Sequence, residues 1–159
     1  MVRYMISMIA VAALLLWSVA PAFAAEIQGA DAEKELKKFQ GSWVMVSGEM
    51  DGKKIADEHL KKSKIKYDGS KVELVLPNQS SETIFSDIVK LDATKKPNEV
   101  HKFRKNGPSA GKTVVAIYEF EGDDQYKIAF DPAGKTKLKE FVTKEGTGHV
   151  RNTWKRVKQ

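Results

Sequence analysis

Four groups of residues in the chain have types and spacings that could support chemistry. Gly107-Pro108-Ser109-Ala110-Gly111-Lys112-Thr113 is close to a phosphate-binding loop, in which backbone N–H groups and a lysine hold phosphate at a helix N-terminus. Its spacing is one residue short, and Val114-Val115-Ala116-Ile117 follows, a strand pattern where that chemistry needs a helix. A hairpin turn accounts for it better. His59, His101 and His149 could ligate a metal only if folding gathered them, since no pair has ligand spacing, and each reads as a surface or rim histidine. Glu119 and Glu121, with Asp123 and Asp124 beyond, could be imagined as paired acid and base, but strand-end acids facing lysines explain them without a nucleophile. Asn78-Gln79-Ser80 matches a glycosylation acceptor. It is set aside because the leader has a bacterial character. No catalytic residue, metal ligand or cofactor is assigned, and an enzyme is the third choice of function.

The positions of these groups depend on the elements that carry them, and the chain begins with a segment that is not one. Residues 1–24 have Arg3 at the front, an apolar centre from Ile9 to Trp17, and Pro21-Ala22-Phe23-Ala24 with small residues where a signal peptidase reads. The apolar centre is shorter than the ~20 residues a membrane-crossing helix needs. A cleavable signal peptide over 1–24 and a single domain over 25–159 are expected, in the periplasm or secreted, with no stable membrane span after cleavage. The chain has no cysteine, which excludes a disulfide framework, thiolate catalysis and cysteine zinc sites.

With 27 basic and 21 acidic residues the net charge is +6, but the cations fall in short groups such as Lys53-Lys54, Lys61-Lys62 and Lys102 to Lys105. They read as solvated element ends rather than one face with interleaved aromatics, so nucleic acid is not an expected partner.

Asp31 to Phe39 reads as a short helix with Asp31 as cap, acids first and lysines last. Ile55 to Lys62 reads as a second, either a lid at a barrel mouth or a plug completing the core, with the plug preferred. Nine segments read as strands: Trp43–Glu49, Ile65–Tyr67, Val72–Leu76, Thr83–Leu91, Glu99–Phe103, Thr113–Glu121, Tyr126–Asp131, Leu138–Thr143 and His149–Val157. Turn residues such as Asp68-Gly69-Ser70 and Pro132-Ala133-Gly134 separate them. Val72 and Leu74, Val114 to Phe120, and Tyr126, Ile128 and Phe130 recur at every second position, giving each strand an apolar face. Two short helices cannot cover so much sheet. Closure into a barrel does so and removes exposed edges. The expected fold is all-β, an antiparallel meander barrel of about eight to nine strands with one or two short helices.

Gly41-Ser42-Trp43 at the start of the first strand and the basic last strand with Arg151, Lys155 and Arg156 resemble the lipocalin and fatty-acid-binding architecture. Most of the chain, about 33 to 157, further resembles the planctomycete-associated family of lipocalin-like domains of unknown function. The resemblance rests on Leu36 to Trp43, Asp51-Gly52-Lys53, Lys90 to Pro97, Gly111-Lys112-Thr113 with Ile117-Tyr118-Glu119, and Pro132 to Lys135. The chain departs from the family at Leu138, where a proline is usual, and at Ala129, where a cysteine is common.

The resemblance implies a lipocalin-like barrel that binds a small hydrophobic or anionic amphipathic molecule non-covalently. Val72, Leu74, Phe85, Tyr118, Phe120, Ile128 and Phe130 are the expected lining, with lysines at the rim. Gly41 and Trp43 are expected to close one end, with Arg151, Lys155 or Arg156 on the Trp43 face. The alternative is a barrel filled by its own side chains that serves as a structural or protein-interaction module of the cell envelope. A connected cavity of ~300 Å³ or more separates the first from the second.

Overall fold

The computed structural model describes residues 29–77 and 83–158; the leader reading over 1–24 and the Asn78-Gln79-Ser80 pattern lie outside them. In chain order the elements are α1 (Ala30–Phe39), β1 (Gly41–Met50), β2 (Lys53–Lys54), α2 (Asp57–Lys62), β3 (Lys64–Asp68), β4 (Lys71–Val75), β5 (Thr83–Asp92), β6 (Asn98–Arg104), β7 (Thr113–Phe120), β8 (Gln125–Phe130) and β9 (Val150–Arg156).

From β3 onward each strand pairs antiparallel with the next, β3 also pairs with β1, and β9 returns to β1 from Trp43↔Arg156 to Met50↔Val150. The ring is therefore closed. Among the described residues β2 pairs only with the end of β1, at Glu49↔Lys54 and Met50↔Lys53, so eight of their nine strands form the barrel. Register shifts between Met45 and Ser47 in β1 and between Ile88 and Lys90 in β5 bend the two long strands, as bulges do, so that each serves both sides of the curve.

The antiparallel order fixes two ends. At one end lie the start of β1, the end of β7 and the start of β8, and α1 inserts Phe39 there. Its ring has no solvent exposure and meets Tyr67, Tyr118, Phe120 and Tyr126 at centroid distances of 4.9–5.3 Å. Tilted and edge-on pairs of this kind add stability beyond the area they bury. Asp31 does not cap α1 as the sequence suggests: the helix begins one residue earlier, with Gly29 at the N-cap and no side-chain cap, and Asp31 lies in its first turn. There it still complements the helix dipole. α2 is shorter than expected, starts at Asp57, buries no residue and lies at the other end.

The segment Leu138 to Thr143, expected as a strand, makes no ladder. It belongs to a strap over residues 131–149 that crosses the outside of the barrel. Leu138 and Phe141 pack on the outward Ile117 and Ala129. Cross-strand pairing sets a row of outward residues under the strap: Glu99, Ile117, Ala129, Arg151 and Glu49 on β6, β7, β8, β9 and β1. Both ends of that row hold the strap by charge. Lys137 lies 2.7 Å from Glu99, while Thr143 donates to Glu49, which also takes Arg151 at 2.8 Å. At the strap's start, part-burial pushes the Asp131 carboxyl up, but N–H donors from Ala133, Thr136 and Lys135 outweigh it and hold the group below the usual carboxylate range.

Candidate functional site

Alternation decides what the barrel contains. On β6 the inward residues are Val100, Lys102 and Arg104, with His101 and Phe103 outside. Two cations therefore point into the barrel. Lys102 is 6 % exposed, and its Nζ donates to Tyr67 Oη at 2.9 Å; Tyr67 Oη in turn lies 2.9 Å from Tyr126 Oη. The chain of three groups rests on the aromatic plug. One step toward the open end, Arg104 stacks its guanidinium 5.9 Å from the Phe130 ring centroid and donates from Nη1 to Ser86 Oγ at 3.2 Å. Most of the five donors of that fork have no protein acceptor among the described residues.

No carboxylate of the described residues pairs with either cation. Burial pushes the Lys102 ammonium down to about 7, and the neighbouring Arg104 charge adds to the shift. Burial also lowers Arg104, against a smaller opposing influence of Tyr67. Burial raises the Tyr67 and Tyr126 phenols, so both stay protonated.

These groups face two adjoining cavities. The outer, about 120 Å³, lies at the open end between α2 and the β6–β7 loop, with Ile55, His59 and Ser63 on one side and Asn106, Pro108 and Ser109 on the other. The inner, about 30 Å³, reaches Lys102, Tyr126 and Trp154. Leu74, Arg104, Phe130 and Asn152 form walls of both. Trp154 and Asn152 line the inner cavity, and their buried Nε1 and Oδ1 have no hydrogen-bond partner among the described residues. The segment carrying α2 borders the outer cavity while its Ile55 and Leu60 pack, partly buried, against the core, and α1 fills the opposite end. Gly48 on β1 makes room for Ile55, just ahead of α2: a Cβ there would stand 2.7 Å from Ile55 Cδ1.

The expected lining divides. Val72, Leu74, Ile128 and Phe130 line the cavities. Tyr118 and Phe120 are inside the barrel but belong to the plug, where Tyr118 Oη donates to Glu35 Oε2 at 3.1 Å. Phe85 faces out and is 44 % exposed, because β5 turns Ile84, Ser86 and Ile88 inward. The cations are not rim lysines: Lys102, grouped by sequence with solvated strand ends, is inside.

Of the three basic candidates for the Trp43 face, Arg156 takes the place, 4.1 Å from the ring centroid. Arg156 also donates to the Lys38 carbonyl at 2.8 Å and to the Gln40 carbonyl, tying α1 to the barrel seam. Gly41 fits beside it with φ of 99°, a backbone state suited to glycine. Arg151 and Lys155 sit one position out of phase and face outward, Arg151 serving the strap.

The remaining candidates resolve as structural. Gly107 to Thr113 is the β6–β7 turn leading into a strand. Glu119 and Glu121 share Lys127 at 2.9 and 3.7 Å on the outer face. His101 lies 3.7 Å from Glu99 near the strap, where burial holds its imidazole below the ordinary value. Among the described residues no cluster of three or more His, Asp or Glu could hold a metal.

Comparison of the chain with known protein families, curated proteins and solved structures finds no match.

Proposed function

We propose that the barrel is a binding protein for a small organic anion, held with its charged end toward Arg104 and Lys102 and its short apolar part against Leu74, Ile84 and Phe130. The observation that carries this is the pair of inward cations with no carboxylate partner among the described residues. Burying an uncompensated cation is unfavourable, and a bound anion offsets that penalty in a way surrounding side chains do not. The Trp154 N–H, without an acceptor among the described residues, belongs to a residue that lines the inner cavity with Lys102 and Arg104.

Size limits the occupant. The cavities of about 120 and 30 Å³ fall short of the ~300 Å³ of a drug-sized pocket. A cavity of about 150 Å³ accommodates a molecule such as benzene. A short-chain carboxylate fits that scale, and a full-length fatty acid does not. The reading carries with it an extracytoplasmic location through cleavage after Ala24 and kinship with the lipocalin-like domains that the sequence resembles.

Titration calorimetry with butyrate, butyramide and butanol tests the proposal. Butyrate binds and the two neutral analogues do not. Arg104→Met weakens butyrate binding by roughly ten- to a hundredfold, the worth of a charge-assisted hydrogen bond. Equal binding of butyrate and butyramide, or no binding of either, sinks the reading.

A second reading, recognition of another protein, draws on the exposed Val75, Phe85 and Phe103, which run diagonally across the outer faces of β4, β5 and β6. Pull-down of a partner by the native protein that is lost in Phe85→Asp, with butyrate binding intact, would favour it.

A further inference from the structure

We propose that Lys102 is a nucleophile that captures the carbonyl group of a small oxo acid as an imine inside the barrel, with Arg104 holding the acid's carboxylate and Tyr67 relaying protons. This rests on the anion-binding reading above and adds a covalent step to it.

The geometry supplies the parts. Lys102 lines the inner cavity, and Arg104 lines the wall common to both cavities one inward position along the same strand. An acid whose carboxylate meets Arg104 directs the rest of its chain either outward or toward Lys102. Tyr67 Oη is in hydrogen-bond contact with the amine at 2.9 Å, and Tyr126 Oη continues the chain at 2.9 Å. No carboxylate of the described residues is there to hold the amine as an ammonium ion. An amine becomes nucleophilic when desolvated beside another cation, and both conditions hold at Lys102. Its pKa near 7 leaves a large fraction in the free-base form at neutral pH.

The step balances within the site. The nitrogen lone pair attacks the carbonyl carbon, a C–N bond forms, and the C=O π electrons pass to oxygen. Tyr67 gives its proton to that oxygen while taking one from nitrogen, so the phenol remains neutral, in keeping with the burial that disfavours its phenolate. A second proton transfer by the same route expels the oxygen as water and leaves the imine. One carbonyl and one amine become one imine and one water, with no oxidant or reductant.

The experiment treats the protein with 2-oxobutyrate and sodium cyanoborohydride at pH 7 and reads intact mass and peptide maps. The expected result is one saturable adduct at Lys102 with the mass of the acid less one oxygen atom. It forms roughly a hundredfold faster than at any exposed lysine, whose amine is almost wholly protonated at that pH. Lys102→Arg and Lys102→Met both lose it, and Tyr67→Phe slows it. Equal labelling of the wild type and Lys102→Arg, or labelling spread over surface lysines, overturns the proposal. Calorimetry with 2-hydroxybutyrate separates the two readings. Binding of the hydroxy acid without trapping of the oxo acid removes the imine and leaves the anion pocket, whereas absence of both removes both.

Discussion

Arg156 lies over Trp43, its guanidinium carbon 4.1 Å from the ring centroid, at the pair where the last strand meets the first. The contact joins three things at one point: the β1–β9 seam, the C-terminal end of α1 through the Lys38 and Gln40 carbonyls, and a Trp43 indole that donates to the Phe39 carbonyl at 2.7 Å. Trp43 is fully buried.

Removing either partner therefore loosens helix and seam together. Trp43→Ala is expected to lower stability by about 3–5 kcal/mol, as for other buried aromatics. Arg156→Met should lower it by about 1–2 kcal/mol through the lost stacking and carbonyl contacts. Urea titration followed by tryptophan fluorescence checks both, and a Trp43→Ala protein as stable as the wild type would refute the closure role.

Lys102 makes the stability of the protein depend on pH in an unusual sense. Its folded-state pKa of about 7 is below the ordinary 10.5, so between those values the unfolded chain binds the proton and the folded chain does not. Stability accordingly rises as pH climbs from 7 to 10.5, and the cost of charging Lys102 is fully present below 7. Lys102→Met is expected to be more stable than wild type at pH 6, by no more than about 5 kcal/mol, with the gap closing toward pH 10. Denaturation midpoints at pH 6, 8 and 10 test it; a gap that is constant across the series would show that Lys102 titrates normally.

Neighbouring residues on β5 should respond in opposite ways. Ile84→Ala removes an inward side chain and is expected to cost about 2–4 kcal/mol. Phe85→Ser removes an exposed one and should stay within about 0.5 kcal/mol of wild type. The reverse ranking in thermal unfolding would mean that the strand faces are assigned the wrong way round.

The strap should come away without opening the barrel. Leu138→Ala withdraws its contact with Ile117 and Ala129 and is expected to hasten proteolysis within residues 139–147. Far-ultraviolet circular dichroism of the variant should remain that of the intact barrel. Unchanged protease sensitivity would indicate that the Glu99–Lys137 and Glu49–Thr143 contacts hold the strap alone.

The barrel was legible in the sequence because every second residue of β3, β4, β7 and β8 is apolar and the turns between them are rich in glycine, proline and aspartate. Leu138 to Thr143 misled for a physical reason: Leu138 and Phe141 are apolar because they cover Ile117 and Ala129, and a segment lying on a sheet can carry the same composition as one within it. Phe85 misled because it adjoins Ile84, and two consecutive apolar residues leave the phase of a strand undecided. Lys102 and Arg104 run against the rule that charge marks solvent. The signal was present in Val100-His101-Lys102-Phe103-Arg104: with Val100 inside, the two-residue period places Lys102 and Arg104 inside and Phe103 outside. Arg156 shares the inward phase of Val150, Asn152 and Trp154, which sets Arg151 and Lys155 outside, while its place opposite Trp43 depends on cross-strand register, which spacing along one strand does not contain.

With α1 filling one end of the barrel, the outer cavity beside Arg104 lies at the other, bordered by Ile55, His59 and Ser63. On the binding reading proposed above, a guest enters and leaves past these residues. Enlarging Gly48 would displace Ile55 and also press on Met45 and Asn152, which line the same cavity, so that on this reading exchange rates and affinity change together.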